Sequence, residues 1–440
     1  MDKRMTQLLK SSVVAVILMN SFVLNAQQVF HSIDEIWVYA KENNPDNSVY
    51  QLQVEKAVKD QRIANSSLYP KINAGFNSQY NLDIAETPIP GEIVGKPGET
   101  VYVRFGQEYS YNGGITVSKT LLDWQSIFQS KIAKSNTQLK QTEKALYEQT
   151  LREQVAQIYY TTITAQSAVN NAQEDLTLAD SILQIAYDRF QEGLIDGLSF
   201  NQAKINRNNA FDKLEQNKQY LVENQLNLKI LLGLSTSETL VLKEQIELNM
   251  NNSIEFVPQN EASIRLYEAQ IEIADLERKQ ALTRFTPKLD FIYYWGGTQY
   301  QQDFNLSFNS NDWQPNSYIG LNLSIPIFSG FGNKNQCSSA KISQNIARLN
   351  YEEEIRKSSI TDSILLNNYL SYKKLAETAN ENLKISGENV QLAYSRYSEG
   401  LISLDNYLSV YDDYLAVESQ YFTRLSDYMI NKATILSRNN

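Results

Sequence analysis

A helical pattern runs without interruption from Trp124 to Glu192, and these residues include neither proline nor glycine. Apolar residues recur at helical spacing along it, with glutamine, asparagine, lysine and glutamate between them. At 1.5 Å per residue, a helix of this length reaches on the order of 100 Å. No single globular core is that long, so the pattern predicts packing between long neighbouring helices.

The end of this pattern occurs a second time in the chain. Residues 186–195 read AYDRFQEGLI and residues 393–402 read AYSRYSEGLI, with seven of the ten positions identical. Each copy ends a long polar helical pattern, supplies a glycine at which a helix can stop in a left-handed conformation, and precedes another helical pattern. We therefore predict two helical hairpins, one in each half of an internal repeat.

The first residues of the chain are predicted to be a secretory signal peptide. Lys3 and Arg4 precede an apolar run over residues 13–24, and we expect cleavage after Ala26. A transmembrane anchor is the alternative, which the shortness of the run disfavours. The whole chain carries a formal net charge of −10, and such an acidic chain does not offer the clustered lysine and arginine that nucleic-acid binding needs.

The chain contains one cysteine, Cys337, and one histidine, His31. This composition leaves no disulfide framework or thiolate metal cluster, and it argues against a histidine-based catalytic triad. Carboxylates are plentiful, but none is paired in the sequence with a nucleophile, a histidine or a phosphate-binding glycine loop. We therefore predict that the protein is not an enzyme and uses neither a metal nor a cofactor.

In two stretches the period changes from helical to two, which is typical of strands with one apolar face. In residues 71–118 the alternation stops at a loop rich in proline and glycine and resumes as a predicted strand over residues 101–117. Residues 288–328 repeat this arrangement, with a loop over about residues 301–315 and a strand over residues 319–327. The strands of the first hairpin exceed the roughly 9–11 residues that a tilted strand needs to cross a bilayer. The dense tyrosine and phenylalanine favour membrane hairpins over soluble ones packed on a core.

The two halves follow the same predicted order of elements. After the signal peptide, residues 1–26, the first repeat covers residues 27–258 and the second covers residues 259–440. The first repeat is predicted to contain a helix, the β-hairpin 71–118, the long helix 124–192, a tip and a helix over 200–232. The second is predicted to contain a helix, the β-hairpin 288–328, the long helix 333–399, a tip and a helix over 407–436. Near the end of the first repeat, Thr239–Leu242 falls in a stretch predicted to be irregular.

Four membrane strands per chain cannot close a barrel, because the smallest barrels need about eight strands. Two chains would give a filled barrel, whereas three would place about twelve strands around a lumen. A trimer is therefore the smallest assembly with an open pore. The polar face of the predicted hairpins fits a water-filled interior.

The two halves, each carrying Tyr-x-Arg-aromatic-x-x-Gly-Leu at its tip, resemble the TolC-type outer-membrane efflux family over essentially the whole chain after the signal peptide. The resemblance implies a mainly α fold with β structure, in which a homotrimer shares a 12-stranded β-barrel in outer-membrane lipid. The barrel would continue as a long periplasmic α-helical barrel. The implied function is passive conduction of small molecules from an inner-membrane transporter and a periplasmic adaptor protein to the exterior.

Two alternatives stay open at this point. Within transport, the chain could be the outlet of a type I protein secretion system, which the sequence does not separate from drug efflux. Outside transport, the long helices alone would permit a secreted coiled-coil structural or adhesive protein. The two alternating hairpins count against that second alternative.

The resemblance also assigns residues to adaptor docking. In well-studied family members the docking motif at each tip is Val-Gly-Leu. Its positions are taken here by Glu192, Gly193 and Leu194 at the first tip and by Glu399, Gly400 and Leu401 at the second. Glutamate replaces valine at both tips, so the choice of adaptor is left open.

The family's periplasmic gate is matched less well. Its positions correspond here to Ser199, Tyr397, Ile402, Asp405, Asn406 and Ser409. Tyr397 matches the gate tyrosine, but the family's aspartate, arginine and two ring carboxylates are absent from the equivalent positions. Asp405 lies one place before the first ring position. We therefore expect a channel that is less cation-selective and less tightly latched than family members with those charges.

Overall fold

The computed structural model describes residues 27–244 and 262–439, so the predicted signal peptide and the later part of the predicted irregular stretch lie outside it. The described chain is mainly helical. Its helices are α1 Ile33–Asn43, α2 Pro45–Ser66, α3 Trp124–Gln191, α4 Gly197–Leu232, α5 Ala262–Leu282, α6 Gly332–Ser398 and α7 Leu404–Asn439. Its strands are β1 Gln27–Phe30, β2 Lys71–Tyr80, β3 Glu86–Pro90, β4 Thr100–Arg104, β5 Tyr109–Leu122, β6 Thr239–Leu242, β7 Lys288–Gln301 and β8 Gln314–Ser324. Across the described ranges, no helix combines the length and apolar character that crossing a membrane requires.

The chain forms two compact units, and each takes segments from both halves of the sequence. Among the described residues, the helical unit comprises 27–52, 142–244, 262–266 and 353–439. The sheet unit comprises Gln53–Gln141 and Tyr267–Glu352. Helices α2, α3, α5 and α6 contribute residues to both units.

In the sheet unit, four strands form an antiparallel sheet in the order β2-β5-β7-β8. The register places apolar residues of all four strands in one row, which consists of Ile72, Val117, Tyr293 and Ile319. A row on the opposite face consists of Asn77, Asn112, Thr298 and Gln314. Opposite residues of neighbouring strands share a face, so the sheet has one apolar side and one polar side.

The predicted strand over residues 101–117 is wrong, because the structure divides it into β4 and β5. Gly106 lies between them with a φ of 146°, a conformation that side-chain-bearing residues rarely adopt. Strand β4 pairs instead with β3, inside the segment predicted to be a loop. Pro88 and Pro90 are tolerated in β3 because a two-stranded ribbon leaves each strand an edge that needs no N–H donor.

The predicted boundaries of the fourth membrane strand are also wrong. Strand β8 begins at Gln314, inside the predicted loop, and ends at Ser324. Pro326 follows two residues later, and proline cannot donate to a strand ladder. The loop between β7 and β8 folds back on the sheet, where the Ser307 N–H donates to Gln299 Oε1 at 3.2 Å.

In the helical unit, β1 and β6 form a parallel pair, although Thr239–Leu242 is predicted to be irregular. Phe30 of β1 and Leu240 of β6 are buried in the main core of this unit, together with Trp37 of α1 and Tyr159 of α3. The indole N–H of Trp37 also donates to the carbonyl of Arg152 at 2.9 Å. The short strands are therefore part of the platform on which the long helices pack.

Candidate functional site

The first tip is a helix stop closed by two main-chain hydrogen bonds. Gly193 has a φ of 73°, and its N–H donates to the carbonyl of Phe190 at 3.1 Å. The Leu194 N–H donates to the carbonyl of Arg189 at 2.8 Å. These are the bonds of a Schellman motif, which satisfies carbonyls that the end of a helix would otherwise leave unpaired.

The second tip repeats this geometry. Gly400 has a φ of 77°, its N–H donates to Tyr397 at 3.0 Å, and the Leu401 N–H donates to Arg396 at 2.8 Å. The ten-residue sequence repeat thus makes the same turn twice. Side chains of Leu194 and Leu401 remain 68% and 69% exposed, and each follows an exposed glutamate, Glu192 or Glu399.

The predicted gate residues do not form one cluster. Tyr397 is buried and Ile402 is half-buried, and both pack into the core between the tips. The Ser199 N–H donates to Asp196 Oδ1 at 2.8 Å, which caps the start of α4. Three gate residues are exposed at the start of α7, namely Asp405, Asn406 and Ser409. Their spacing of three and four places them on one face of the helix.

All four long helices contribute to a shared core beneath the turns, which we call the tip core. It consists of Ile182, Ala186, Ala203, Val390, Ala393, Tyr397, Leu404, Tyr407, Leu408 and Tyr411. Tyr397 and Tyr407 stack with ring centroids 5.8 Å apart, and Tyr407 and Tyr411 stack at 6.0 Å. Such aromatic pairs contribute about 0.5–1.5 kcal/mol each beyond the burial of their area. The two turns therefore belong to one packed structure.

Arg189 connects the two tips directly. Its Nη2 donates to the carbonyl of Tyr397 at 2.7 Å and to that of Ser398 at 3.2 Å, both at the end of α6. Its guanidinium also lies over the Tyr397 ring, 4.7 Å from the centroid. A positive charge at a helix C-terminus interacts favourably with the helix dipole. Arg396, the equivalent residue of the second copy, is exposed instead.

The contact made by Arg189 is not predictable from the sequence repeat. The repeat aligns Arg189 with Arg396, and identical residues in two copies carry no sign that they are used differently. The difference comes from the packing of α3 beside α6. An alignment of the two tips within one chain cannot contain that information.

Two buried carboxylates lie between α3 and α7, farther along the helices. Asp175 and Glu418 are each only 8% exposed. Glu418 accepts hydrogen bonds from Asn171 Nδ2 at 2.8 Å and from the Tyr414 hydroxyl at 2.9 Å. The Tyr411 hydroxyl donates to the main-chain carbonyl of Asp175 at 3.2 Å.

Burial changes the acidity of both groups. Together with smaller effects of the Glu418 and Glu174 carboxylates, it raises the pKa of Asp175 to about 7, against a partial opposing effect of the Tyr411 hydroxyl. Burial likewise raises the pKa of Glu418 above its usual range, although hydrogen bonds from Asn171 and Tyr414 oppose the change. Near neutral pH, Asp175 is therefore poised between its charged and neutral forms.

The sequence does contain a signal for the buried Asp175. Five residues of α3 follow one another at alternating spacings of four and three, namely Ala168, Ala172, Asp175, Ala179 and Ile182. This is the heptad seam of a packed helix, and Asp175 is the charged residue within that run. An acidic side chain at such a position indicates a buried polar site.

The chain matches the family model described as outer membrane efflux protein over residues 38–234 and 254–437. It is 23% identical over 385 residues to Toxin and drug export protein A of Aggregatibacter actinomycetemcomitans, which covers 83% of this chain and 77% of that protein. It is 22% identical over 385 residues to the probable outer membrane lipoprotein SilC of Salmonella typhimurium, which covers 85% of this chain and 77% of that protein.

Solved structures show the same fold. A membrane protein from Pseudomonas aeruginosa superposes with a TM-score of 0.77 at 17% identity, over 94% of this chain and 91% of the other. The CmeC outer membrane channel of Campylobacter jejuni superposes with a TM-score of 0.75 at 19% identity, over 92% of this chain and 85% of the other.

We predict that Arg189→Gln loosens the end of α6. Hydrogen bonds to charged groups are worth about 1.5–3 kcal/mol, and each 1.4 kcal/mol is about tenfold in an equilibrium. Amide hydrogen exchange over residues 397–401 should therefore accelerate about tenfold or more. Arg396→Gln is the matched control and should leave exchange near that of the parent. Equal acceleration in both variants would contradict a specific role for Arg189.

We predict that Asp175→Asn stabilises the protein at pH 8 and has little effect at pH 4. The pKa of Asp175 is raised from the usual value of 3.8 to about 7 in the folded state. Between about pH 4 and pH 7, the folded state therefore holds a proton on Asp175 that the unfolded state has released. The contribution to stability therefore falls as pH rises from about 4 to about 7. Asparagine removes that loss, and the thermal unfolding midpoint at pH 8 should rise by about 2 °C or more.

Glu174→Gln serves as the control for this experiment, because it removes the same charge from an exposed neighbour. It should shift the midpoint little at either pH. An identical shift for Asp175→Asn at both pH values would mean that the carboxyl does not titrate in this range.

Proposed function

Because the chain belongs to the outer membrane efflux protein family, we propose that it is the channel of a tripartite efflux system. In this proposal it passively conducts small molecules from an inner-membrane transporter and a periplasmic adaptor to the exterior. Membership confirms the resemblance to TolC-type proteins found in the sequence. The observation that carries the finer proposal is the four-stranded sheet. Within the described part of one chain, its apolar face is exposed and its two edge strands each pair on one side only.

The edges of this sheet support a homotrimer. Strands β2 and β8 each have one neighbour in the sheet, and an unpaired strand edge costs several kcal/mol per group in lipid. With an even number of antiparallel strands, β8 of one copy lies antiparallel to β2 of the next. Pairing of β8 of one copy with β2 of the next therefore extends the antiparallel hydrogen-bond ladder from copy to copy. Three copies close about twelve strands around a lumen, as the family fold implies.

The two faces of the sheet support an outward apolar and an inward polar side. Ile72 and Ile319 are each 71% exposed on the apolar face, which suits contact with lipid. On the polar face, Asn112 Nδ2 donates to Thr298 Oγ1 at 3.1 Å, and the rest of that row is also amide or hydroxyl. Such a lining is compatible with a water-filled passage.

The tips support the proposed adaptor docking. Leu194 and Leu401 are exposed apolar side chains, and a partner that covers them would gain free energy from their burial. The glutamates beside them add negative charge. An adaptor with an apolar contact flanked by basic residues would complement both features.

The exposed residues at the start of α7 support a weakly selective entrance. We propose that Asp405, Asn406 and Ser409 line it, with a single carboxylate where the family has two. Tyr397 and Ile402 act differently in this proposal, because they hold the tip core together. Ser199 contributes through its N–H to the start of α4.

The outlet of a type I protein secretion system remains the second candidate. The relative from A. actinomycetemcomitans is named for the export of both a toxin and drugs, and the channel itself would be the same for either cargo. Native copurification of the inner-membrane partner distinguishes the two. A drug pump supports the first candidate and a protein-exporting ATPase supports the second.

We predict that cysteines placed in β2 and β8 link different copies, for example Ser78→Cys with Ser317→Cys in a Cys337→Ser background. Within one chain these strands are separated by two others, so the sites are more than about 14 Å apart and too distant for a disulfide. A scan along both strands should give linked dimers and trimers on non-reducing gels. The parent should have the mass of a trimer in mild detergent.

Asn112→Cys with Thr298→Cys is the matched control, because these residues are directly opposite within one sheet. Its disulfide should form inside a single chain. A detergent-solubilised particle with the mass of a monomer, or a scan that gives only monomers, would contradict the shared barrel.

We predict that Leu194→Asp with Leu401→Asp abolishes export but leaves trimer assembly intact, since the turns make no contribution to the sheet unit. The measurement is cargo export together with crosslinking to the adaptor. Leu194→Met with Leu401→Met keeps the apolar contact and should behave as the parent does. Docking is wrongly assigned if the aspartate variant exports cargo and crosslinks normally.

A further inference from the structure

The helical unit contains a cavity of about 700 Å³ that the proposed channel function does not use. Helices α3, α4 and α7 line it. Alanines of α3 form much of one wall, namely Ala165, Ala168 and Ala172. The volume lies within the roughly 300–1,000 Å³ of typical small-molecule sites.

The lining of this cavity is strongly acidic. Its carboxylates are Asp175, Asp412, Glu418 and Asp427, against the single ammonium group of Lys213. Asp427 has a partner in Arg424, 3.8 Å away. For Asp175 and Glu418, the part of the chain that the structure describes provides no ion pair within 4 Å. Buried charges are costly unless a counter-charge accompanies them, so these two carboxylates favour a cationic occupant.

A second and independent feature of the lining is an unpaired amide. Asn206 of α4 is 8% exposed, and its Nδ2 finds no acceptor among residues 27–244 and 262–439. A buried donor without an acceptor costs about 1–3 kcal/mol. An occupant with an oxygen acceptor would remove that cost.

The aromatic part of the lining suits an organic ion. Tyr220 from α4 and Tyr411 and Phe422 from α7 contribute rings to the wall. Aromatic faces attract ammonium groups by about 0.5–2 kcal/mol. A bare metal ion fits less well, because the described residues hold no group of three histidine, cysteine or acidic side chains that could ligate one.

We propose that this cavity binds an organic cation, with its positive charge against Asp175 and Glu418 and an apolar or aromatic body against Tyr411 and Phe422. A ligand that also carries an oxygen acceptor satisfies the Asn206 amide as well. The bound cation offsets part of the negative charge of the two carboxylates and ties α7 to α3. This inference depends on the cavity alone and not on the channel assignment.

Ethidium, an aromatic cation whose fluorescence rises on binding, is the probe. The full-length protein is titrated in nonionic detergent at pH 8, where Asp175 is mostly charged. Saturable binding is expected, with fluorescein, an aromatic anion, not binding. The double variant Asp175→Asn with Glu418→Gln should weaken ethidium binding at least tenfold, since it keeps the shape of both side chains and removes both charges.

Two further variants separate a site from a general negative field. Glu174→Gln removes the same kind of charge next to Asp175, but its side chain does not line the cavity, and it should bind ethidium as the parent does. Ala416→Trp fills the cavity from an exposed position on α7 without changing charge, and it should abolish binding.

The proposal is overturned if the parent does not bind ethidium, or if the double variant or Ala416→Trp binds it as tightly as the parent. Equal weakening by Glu174→Gln also overturns it, because the effect would then be non-specific attraction. Normal export by a protein that fails these binding tests would leave the channel function standing.

Discussion

The helical unit depends on the small side chains along one seam of α3. Ala172, Ala179 and Ala186 are almost completely buried there, and alanine lets neighbouring helices come close. The Tyr411 hydroxyl of α7 reaches the main chain of α3 at Asp175 as a result. Larger residues in this seam would separate the helices, and Tyr407 and Tyr411 of α7 would lose their packing.

A series of stacked aromatic rings connects this seam to the tips. Tyr411 stacks on Tyr407 and Tyr407 on Tyr397, and the guanidinium of Arg189 covers the last ring. The turn at the end of α6 is therefore held by contacts from α3 and α7. Asp175 interrupts the apolar seam at the other end of this stack. A buried charge there lowers stability, but a polar group in a seam also fixes the register of packed helices.

A structural feature can be predicted from the sequence when its physical cause lies within one short segment of the chain. The helical period over residues 124–192 is local, and α3 ends at Gln191. Strands β1 and β6 are four residues each and pair across most of the first half of the chain, so neither has a pattern of its own. The β3–β4 ribbon was not predicted, because Pro88 and Pro90 of β3 are typical of a loop. Each proline is nevertheless acceptable at a strand edge. The cavity and the Arg189 contact depend on which helices become neighbours, and no local pattern contains that.

The two tips show what duplication of a sequence does and does not preserve. Main-chain geometry is preserved, because glycine and the hydrogen bonds around it act within six residues. Side-chain roles are not, because Arg189 and Arg396 face different neighbours. Arg189 joins α3 to α6 within one chain, while Arg396 stays exposed on the surface of the described unit. The two turns therefore share one main-chain conformation and differ chemically, because the neighbours of each side chain are set by the packing of the helices.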